Sequence, residues 1–136
     1  LRLSLAQRLV RQLCPDCKKL TPTNPETKKL ISGILEKIKI KRPDLNQTWT
    51  GSIWEAVGCL ACQQTGYRGR LGIFEALKID AAVTNLLQKS PNEREIKLAT
   101  IPQGILDMKE DGILKVLSGI TALDELARVV DLEDDL

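Results

Sequence analysis

Cys14-Pro15-Asp16-Cys17 and Cys59-Leu60-Ala61-Cys62 are the two stretches that decide the fold of this sequence. They contain every cysteine of the 136-residue chain, which has no histidine. Two thiolates separated by two residues can bind one metal ion from a single tight turn, and a second such turn completes a tetrahedron. The pattern therefore predicts one zinc ion per chain, bound by Cys14, Cys17, Cys59 and Cys62.

Three other interpretations of the cysteines carry less weight. Disulfide bonds would need an oxidising compartment, whereas nothing in the first residues resembles a secretion signal, so we expect a reducing cytoplasm. A redox site needs one dithiol, and this chain has two. Unrelated core thiols would not fall into pairs. Iron bound as in rubredoxin also uses two Cys-x-x-Cys turns, so the spacing leaves zinc and iron open.

The gap of 41 residues between the pairs is long enough for a helix and a strand. Pro25 after Asn24 is typical of a helix start, and Thr23 with Glu26 forms a competing capping box. Pro43 ends the predicted helix after a run of lysines. Its apolar face consists of Leu30, Ile31, Ile34, Leu35 and Ile38.

Strand patterns flank the second cysteine pair. Residues 49–57 have the β-branched and aromatic character of a strand, and residues 71–77 are interpreted as the return strand of a two-stranded hairpin. Gly58 allows the turn into Cys59, and Gly66 and Gly69 allow the backbone to bend closely around a metal. Residues 1–13 fit a strand or a helix equally well.

The last third of the sequence is helical in pattern. Helices are predicted to begin at Asp80, Ser90, Pro102 and Thr121, and Gly119 ends the third of them. The sequence thus predicts an α+β fold, in which a small tetracysteine subdomain precedes an all-helical one. A solvated acidic tail is expected at the end of the chain, with Asp131, Glu133, Asp134 and Asp135.

Charge is distributed unevenly along the chain. The net charge of +2 conceals a balance of +7 for residues 1–50 and −5 for residues 51–136, so the two halves could attract each other or face different partners. Lys18, Lys19, Arg68 and Arg70 follow the cysteine pairs. There they would offset the charge of about −2 on zinc with four thiolates, although each alone is more simply a solvated side chain.

Several function classes are excluded or disfavoured. No apolar run is long enough to insert into a membrane. The glycines near the second cysteine pair lack the phosphate-binding pattern Gly-x-x-x-x-Gly-Lys-Ser/Thr, so no catalytic residue is assigned. Aromatic residues do not interleave with the basic end of the first helix, so no specific nucleic-acid binding is expected there.

Three stretches together resemble the ATPase family that drives type II secretion and type IV pilus assembly. The first is residues 6–18, which includes the first cysteine pair. The second is Gly58-Cys59-Leu60-Ala61-Cys62, followed by Thr65-Gly66-Tyr67-Arg68-Gly69-Arg70 and Ile73-Phe74-Glu75. The third is residues 111–121, where Ile120-Thr121-Ala122 departs slightly from the usual pair of threonines and Thr121 is expected to keep the capping hydroxyl.

The resemblance implies a module without chemistry of its own. Residues 1–13 would end a RecA-like ATPase core, 14–77 would form the tetracysteine zinc subdomain, and 78–136 would form the C-terminal helical subdomain. The parent would be a cytoplasmic hexamer that binds ATP and magnesium and moves platform proteins at the inner membrane. The rival hypothesis is a stand-alone zinc ribbon that binds nucleic acid, which rests on the cysteines and the basic first half. A dithiol oxidoreductase is a third class.

Overall fold

The computed structural model describes residues 3–45 and 49–132. Within these two ranges, four strands and five α-helices follow one another in an α+β arrangement, which confirms the predicted fold class. In chain order they are β1 (Leu3–Leu13), β2 (Lys19–Pro22), α1 (Pro25–Lys41), β3 (Ser52–Glu55), β4 (Tyr67–Lys78), α2 (Ala81–Leu87), α3 (Glu93–Thr100), α4 (Met108–Leu117) and α5 (Leu123–Val129).

The strands form two separate antiparallel ribbons, β1 with β4 and β2 with β3. The expected pairing of residues 49–57 with 71–77 is therefore wrong. The observed pairing follows from the position of the cysteines. Strand β1 leads into the first cysteine turn and β2 leads out of it, while β3 leads into the second turn and β4 leads out of it. When the two turns meet, each incoming strand lies against the outgoing strand of the other turn.

The long ribbon of β1 and β4 settles the ambiguity in favour of a strand for residues 3–13, and residues 1 and 2 lie outside the described part of the chain. Val10 and Ile73 lie on its inner face and are fully buried. Val10 is paired with Leu71, and Ile73 is paired with Arg8. Leu3, Leu5, Leu9 and Phe74 lie on its outer face and are exposed. Successive side chains of a strand point to opposite faces, so the alternation in β1 separates a core face from an uncovered apolar face.

Helix α1 forms as the sequence predicts. The side chain of Asn24 accepts a hydrogen bond from the backbone N–H of Thr27 at 2.7 Å, and Pro25 occupies the first turn. Asn24 therefore caps the helix instead of Thr23. The helix ends at Lys41, before Pro43, and it buries Ile31, Ile34 and Ile38.

One hydrophobic core connects the two halves of the chain. Buried residues of β1, α1, β3, β4, α4 and α5 form a single cluster. The domain boundaries at residues 13 and 77 remain a prediction, because elements on both sides of each boundary contribute to the same core. The cluster consists of Val10, Ile31, Ile34, Ile38, Ile53, Ile73, Met108, Ile113, Val116 and Leu126.

Three of the four helix starts in the last third differ from expectation, those of α3, α4 and α5. Residues Ile101–Gln103 form only a short 3₁₀ turn, and α4 begins after Asp107, whose carboxylate accepts from the backbone N–H of Glu110 at 2.8 Å. Asp107 and Glu110 form a full capping box, in which each side chain accepts a hydrogen bond from the backbone N–H of the other. Pro102 forms no such pair, so the helix begins at the later position. Asn92, not Ser90, caps α3. Asp80 caps α2 as predicted, and Gly119 follows the end of α4 with a φ of 78°.

Helix α5 is fastened to β1 by polar contacts. The sequence predicts that Thr121 caps this helix, but Thr121 does not. Its hydroxyl donates to the carbonyl of Arg11 at 2.8 Å instead. Glu125 is buried and accepts from the Arg11 backbone N–H at 2.7 Å, and from the guanidinium groups of Arg11 and Arg128. The guanidinium of Arg8 donates to the carbonyl of Val129. These contacts hold the last helix against the first strand.

Within residues 3–45 and 49–132, no helix is both long and apolar enough to cross a bilayer. The expected acidic tail falls largely on residues 133–136, which lie outside the described part of the chain.

Candidate metal centre

Two tight turns carry the four cysteines. In the first, the backbone N–H groups of Cys17 and Lys18 donate to the carbonyl of Cys14 at 3.4 and 3.1 Å. In the second, Leu60–Cys62 forms a 3₁₀ turn. The two turns are joined by a hydrogen bond from the N–H of Cys14 to the carbonyl of Gly66 at 2.9 Å. The turns therefore face each other across the ends of both ribbons.

The four sulfur atoms converge at one point. All four Sγ atoms lie within 4.8 Å of one another. The Sγ atoms of Cys14 and Cys59 are 3.8 Å apart, as are those of Cys17 and Cys62. The Sγ atoms of Cys59 and Cys62 are 3.7 Å apart. Tetrahedral zinc with sulfur ligands at about 2.3 Å places neighbouring sulfurs about 3.8 Å apart. These three distances fit a tetrahedral metal site and are far too long for a disulfide bond, which needs about 2.05 Å.

Backbone amides are directed at the sulfurs. Cys62 Sγ accepts from the N–H groups of Gly66 at 3.1 Å and Cys59 at 3.2 Å, and Cys17 Sγ accepts from the N–H of Gly58 at 3.3 Å. Such donors stabilise thiolates rather than neutral thiols. The turns thus supply the sulfurs and part of the charge compensation that a thiolate cluster requires.

Two glycines permit this approach. Gly58 and Gly66 have φ values of 113° and 81°, in the region that favours glycine. A Cβ at Gly66 would lie 2.6 Å from the Cβ of Ala56, and one at Gly58 would lie 2.9 Å from the carbonyl oxygen of Gln64. Both contacts are too short for a side chain, so the second turn requires glycine at these positions.

The thiols of the second turn differ in acidity. Burial raises the pKa of Cys62, but the amides of Cys59 and Gly66 outweigh it and bring the value down to about 6. The Cys62 backbone amide lowers the pKa of Cys59, while burial and the neighbouring thiols raise it to about 11. The two backbone amides directed at Cys62 Sγ therefore favour its thiolate form.

Two of the four predicted basic neighbours, Lys18 and Arg68, have other partners. Lys18 Nζ donates to the carbonyl of Gly119 at 3.0 Å and lies 4.7 Å from the ring centroid of Trp54. Arg68 lies 3.7 Å from the carboxylate of Asp16. Lys18 thereby links the first cysteine turn to the end of α4, a role that its position in the sequence did not suggest.

Sequence reasoning also missed a buried ion pair remote from the cysteines. Glu110 accepts from Lys41 Nζ at 2.6 Å, and its side chain is fully buried. Burial raises the pKa of Glu110, and the hydrogen bond from Lys41 opposes that shift. Asp107 and Glu110 have the spacing of a capping box, which could have identified the helix start but not the lysine from α1.

Comparison with known proteins gives one family. The sequence profile described as type II/IV secretion system protein matches residues 1–128. The type IV pilus assembly ATPase TfpB of Acinetobacter baylyi is 38% identical over 128 residues, which cover 94% of this chain and 20% of that protein. The type II secretion system ATPase E of Vibrio cholerae is 39% identical, with 92% and 22% covered. The type IV pilus assembly ATPase PilB of Thermus thermophilus is 33% identical, with 93% and 13% covered. The chain spans about a fifth of the length of the first two relatives.

Proposed function

Because the chain belongs to the type II/IV secretion system protein family, we propose that it is the C-terminal accessory module of a hexameric motor ATPase. The relatives named above are pilus assembly and secretion ATPases, which supports a role as one domain of such a motor. In this proposal the intact motor works at the cytoplasmic face of the inner membrane. It converts ATP hydrolysis into movement of platform proteins, and this module provides a docking surface.

The module holds one zinc ion through Cys14, Cys17, Cys59 and Cys62. Zinc with four sulfur ligands has no open position for a substrate, so the metal supplies a structural cross-link and no reaction. Catalysis is assigned to the remainder of the parent, where ATP and magnesium would bind. This chain has no Gly-x-x-x-x-Gly-Lys-Ser/Thr sequence among its 136 residues.

The observation that carries the proposal is the place where the sulfurs meet. Leu13, Lys19, Glu55 and Tyr67 are the ends of the four strands nearest the cysteine turns. A metal at this point ties both ribbons together, and the ribbons carry α1, α4 and α5 through the common core. The module then moves as one body when a neighbouring domain pushes on it.

Metal content tests the first part of the proposal. We expect one zinc per chain by elemental analysis of freshly purified protein. Cys59→Ser should lose the zinc and lower the melting temperature, whereas Cys59→His keeps a ligand atom and should retain more metal, which makes it a matched control. Structural zinc stabilises small domains by about 10–16 kcal/mol, so chelation should unfold the module. Iron in place of zinc, or a metal-free chain that melts unchanged in chelator, would refute this part.

Binding tests the docking part. We expect the parent motor to capture the cytoplasmic region of its platform protein and the isolated chain to show no salt-dependent binding to generic DNA or RNA. Binding to nucleic acid without capture of the platform protein would favour the zinc-ribbon alternative.

A further inference from the structure

Residues 79–102 form an excursion that stands outside the common hydrophobic core. They contain α2 and α3, and no described residue of this range belongs to the core cluster. Among the side chains that the structure describes in these two helices, only that of Val83 is buried. The helices contact each other, but helices of seven and eight residues are too short to be stable alone. Their stability therefore depends on the surface that they pack against.

One glutamine closes the base of the excursion. Oε1 of Gln103 accepts from the backbone N–H of Lys78 at 3.0 Å, and Nε2 of Gln103 donates to the carbonyl of Lys78 at 2.9 Å. The same Nε2 donates to the carboxylate of Asp80 at 3.1 Å. Both ends of the excursion are thus fastened to each other at a single place, which is the geometry of a hinge.

An apolar groove of about 600 Å³ lies beneath the excursion. Helix α3 forms one wall of it, and α1 with the inner face of the β1–β4 ribbon forms the opposite wall. Leu98 on α3 is 53% exposed and Ile40 on α1 is 70% exposed, and both line the groove. A movement of α3 toward α1 would remove both side chains from water, and the burial of apolar surface favours such a movement.

The charges that line the groove do not oppose this movement. Helix α3 contributes only basic groups, and the opposite wall with the start of α4 contributes two basic and three acidic ones. Lys41 serves two of these acids, since its Nζ lies 2.6 Å from Glu110 and 4.0 Å from Asp107. The charged lining residues are Arg94 and Lys97 on α3, and Lys37, Lys41, Glu75, Asp107 and Glu110 on the other elements. A positive α3 therefore faces a wall of slightly negative net charge, and the two attract each other weakly.

We propose that residues 79–102 are a hinged lid, which closes over the groove by seating Leu98 against Ile40 while the contact of Gln103 with Lys78 stays fixed. The structure has the lid in its open position. Closure supplies the packing that the two short helices lack, so their stability reports how far the lid is closed. None of the four cysteines lines the groove, so the lid is separate from the candidate metal centre.

Native-state amide exchange on the zinc-loaded chain tests the lid as a unit. We expect the amides of α2 and α3 to open together, and more easily than those of α1 and α4. Gln103→Ala should lower protection throughout α2 and α3 by about tenfold, the loss expected from one or two hydrogen bonds. Gln12→Ala is the matched control, because it removes a bond from Nε2 to the carbonyl of Arg70 at 3.2 Å in the ribbon, and it should leave α2 and α3 unchanged.

Two results would overturn the hinged unit. One is loss of protection that stays confined to the residues next to positions 78 and 103 in Gln103→Ala. The other is exchange of α3 only through unfolding of the whole chain, which would show that the excursion does not move by itself.

Ile40→Ser tests closure from the opposite wall. It should lower protection in α3 by about threefold relative to α4, although the structure leaves Ile40 in water. Val57→Ser, at a 60% exposed position that does not line the groove, is its control and should have no such effect. Combined with Leu98→Ser, Ile40→Ser should add no further loss, because the two side chains lose the same contact. Unchanged protection of α3 in Ile40→Ser, or additive effects in the double variant, would refute closure.

Discussion

Two helical glycines should respond to the same substitution with opposite sign. Gly33 lies on the exposed side of α1, and a Cβ there would meet no atom within 4 Å. Gly112 is buried in α4, and its Cβ would lie 2.3 Å from Cδ1 of Leu126 in α5. We therefore expect Gly33→Ala to stabilise the chain and Gly112→Ala to destabilise it.

The magnitudes follow from two competing effects. Alanine is favoured over glycine within a helix by about 0.8–1.0 kcal/mol, which should appear almost in full at Gly33. At Gly112 the same gain is opposed by overpacking against a fully buried leucine, which costs about 1–3 kcal/mol. The net loss at Gly112 is then about 0–2 kcal/mol. The difference between the two variants should equal the overpacking cost.

Urea unfolding of the zinc-loaded chain measures both free energies. A double-mutant cycle supplies the control: with Leu126→Ala already present, the added methyl at residue 112 has space, and Gly112→Ala should become stabilising by about 1 kcal/mol. Equal stabilisation by the two single variants would show that the α4–α5 contact does not constrain residue 112. A destabilising Gly33→Ala would contradict the open space above α1.

Three further predictions concern charge, cooperativity and chemistry. Hydrogen bonds from Arg128 and Arg11 lower the pKa of Glu125 to about 2. Because the pKa of Glu125 is lower in the folded than in the unfolded chain, the stabilisation is complete above about pH 4.5 and is lost as the pH falls toward 2. Glu125→Gln should therefore flatten the stability–pH profile between these two values. Amide exchange on Cys59→Ser should show loss of protection in α4 and α5, because these helices share the core with the ribbons. The loss should be smaller in α2 and α3, which do not contribute to that core. Unchanged protection of all amides from residue 80 onward would instead support an independently folded helical subdomain. The isolated chain should release no phosphate from Mg–ATP above buffer, and turnover that survives further purification would place catalytic groups in this module.

The local structure was largely predictable because its causes are local. Asn24-Pro25 and Asp80 begin helices where their side chains can reach nearby N–H groups, and Gly119 ends α4 where a left-handed residue is needed. The grouping of Cys14 and Cys17 with the second pair followed from spacing alone, and the structure brings all four sulfurs together. Metal binding itself stays a prediction.

Long-range features were not predictable from one sequence. The pairing of β1 with β4 joins residues more than fifty positions apart, and alternation in a strand identifies its faces but not its neighbour. Thr121 looked like a helix cap, yet its hydroxyl bonds to Arg11 because α5 lies against β1. The pair of Lys41 with Glu110 likewise depends on how α1 meets α4, which no local pattern records.

The long ribbon has a mechanical consequence. Residues 3 and 13 of β1 are separated by ten strand steps, or about 33 Å, and the cysteine turns lie at only one end. A two-stranded ribbon alone twists easily and is marginally stable. Here Phe74 N–H donates to Asp111 of α4, and Glu125 of α5 accepts from Arg11, so helices brace it along its length. A torque applied near residue 3 would thus be delivered to the cysteine end with little lost to twisting. Under the proposed function, weakening either brace should lower the work that the parent motor obtains per ATP before it lowers the rate of hydrolysis.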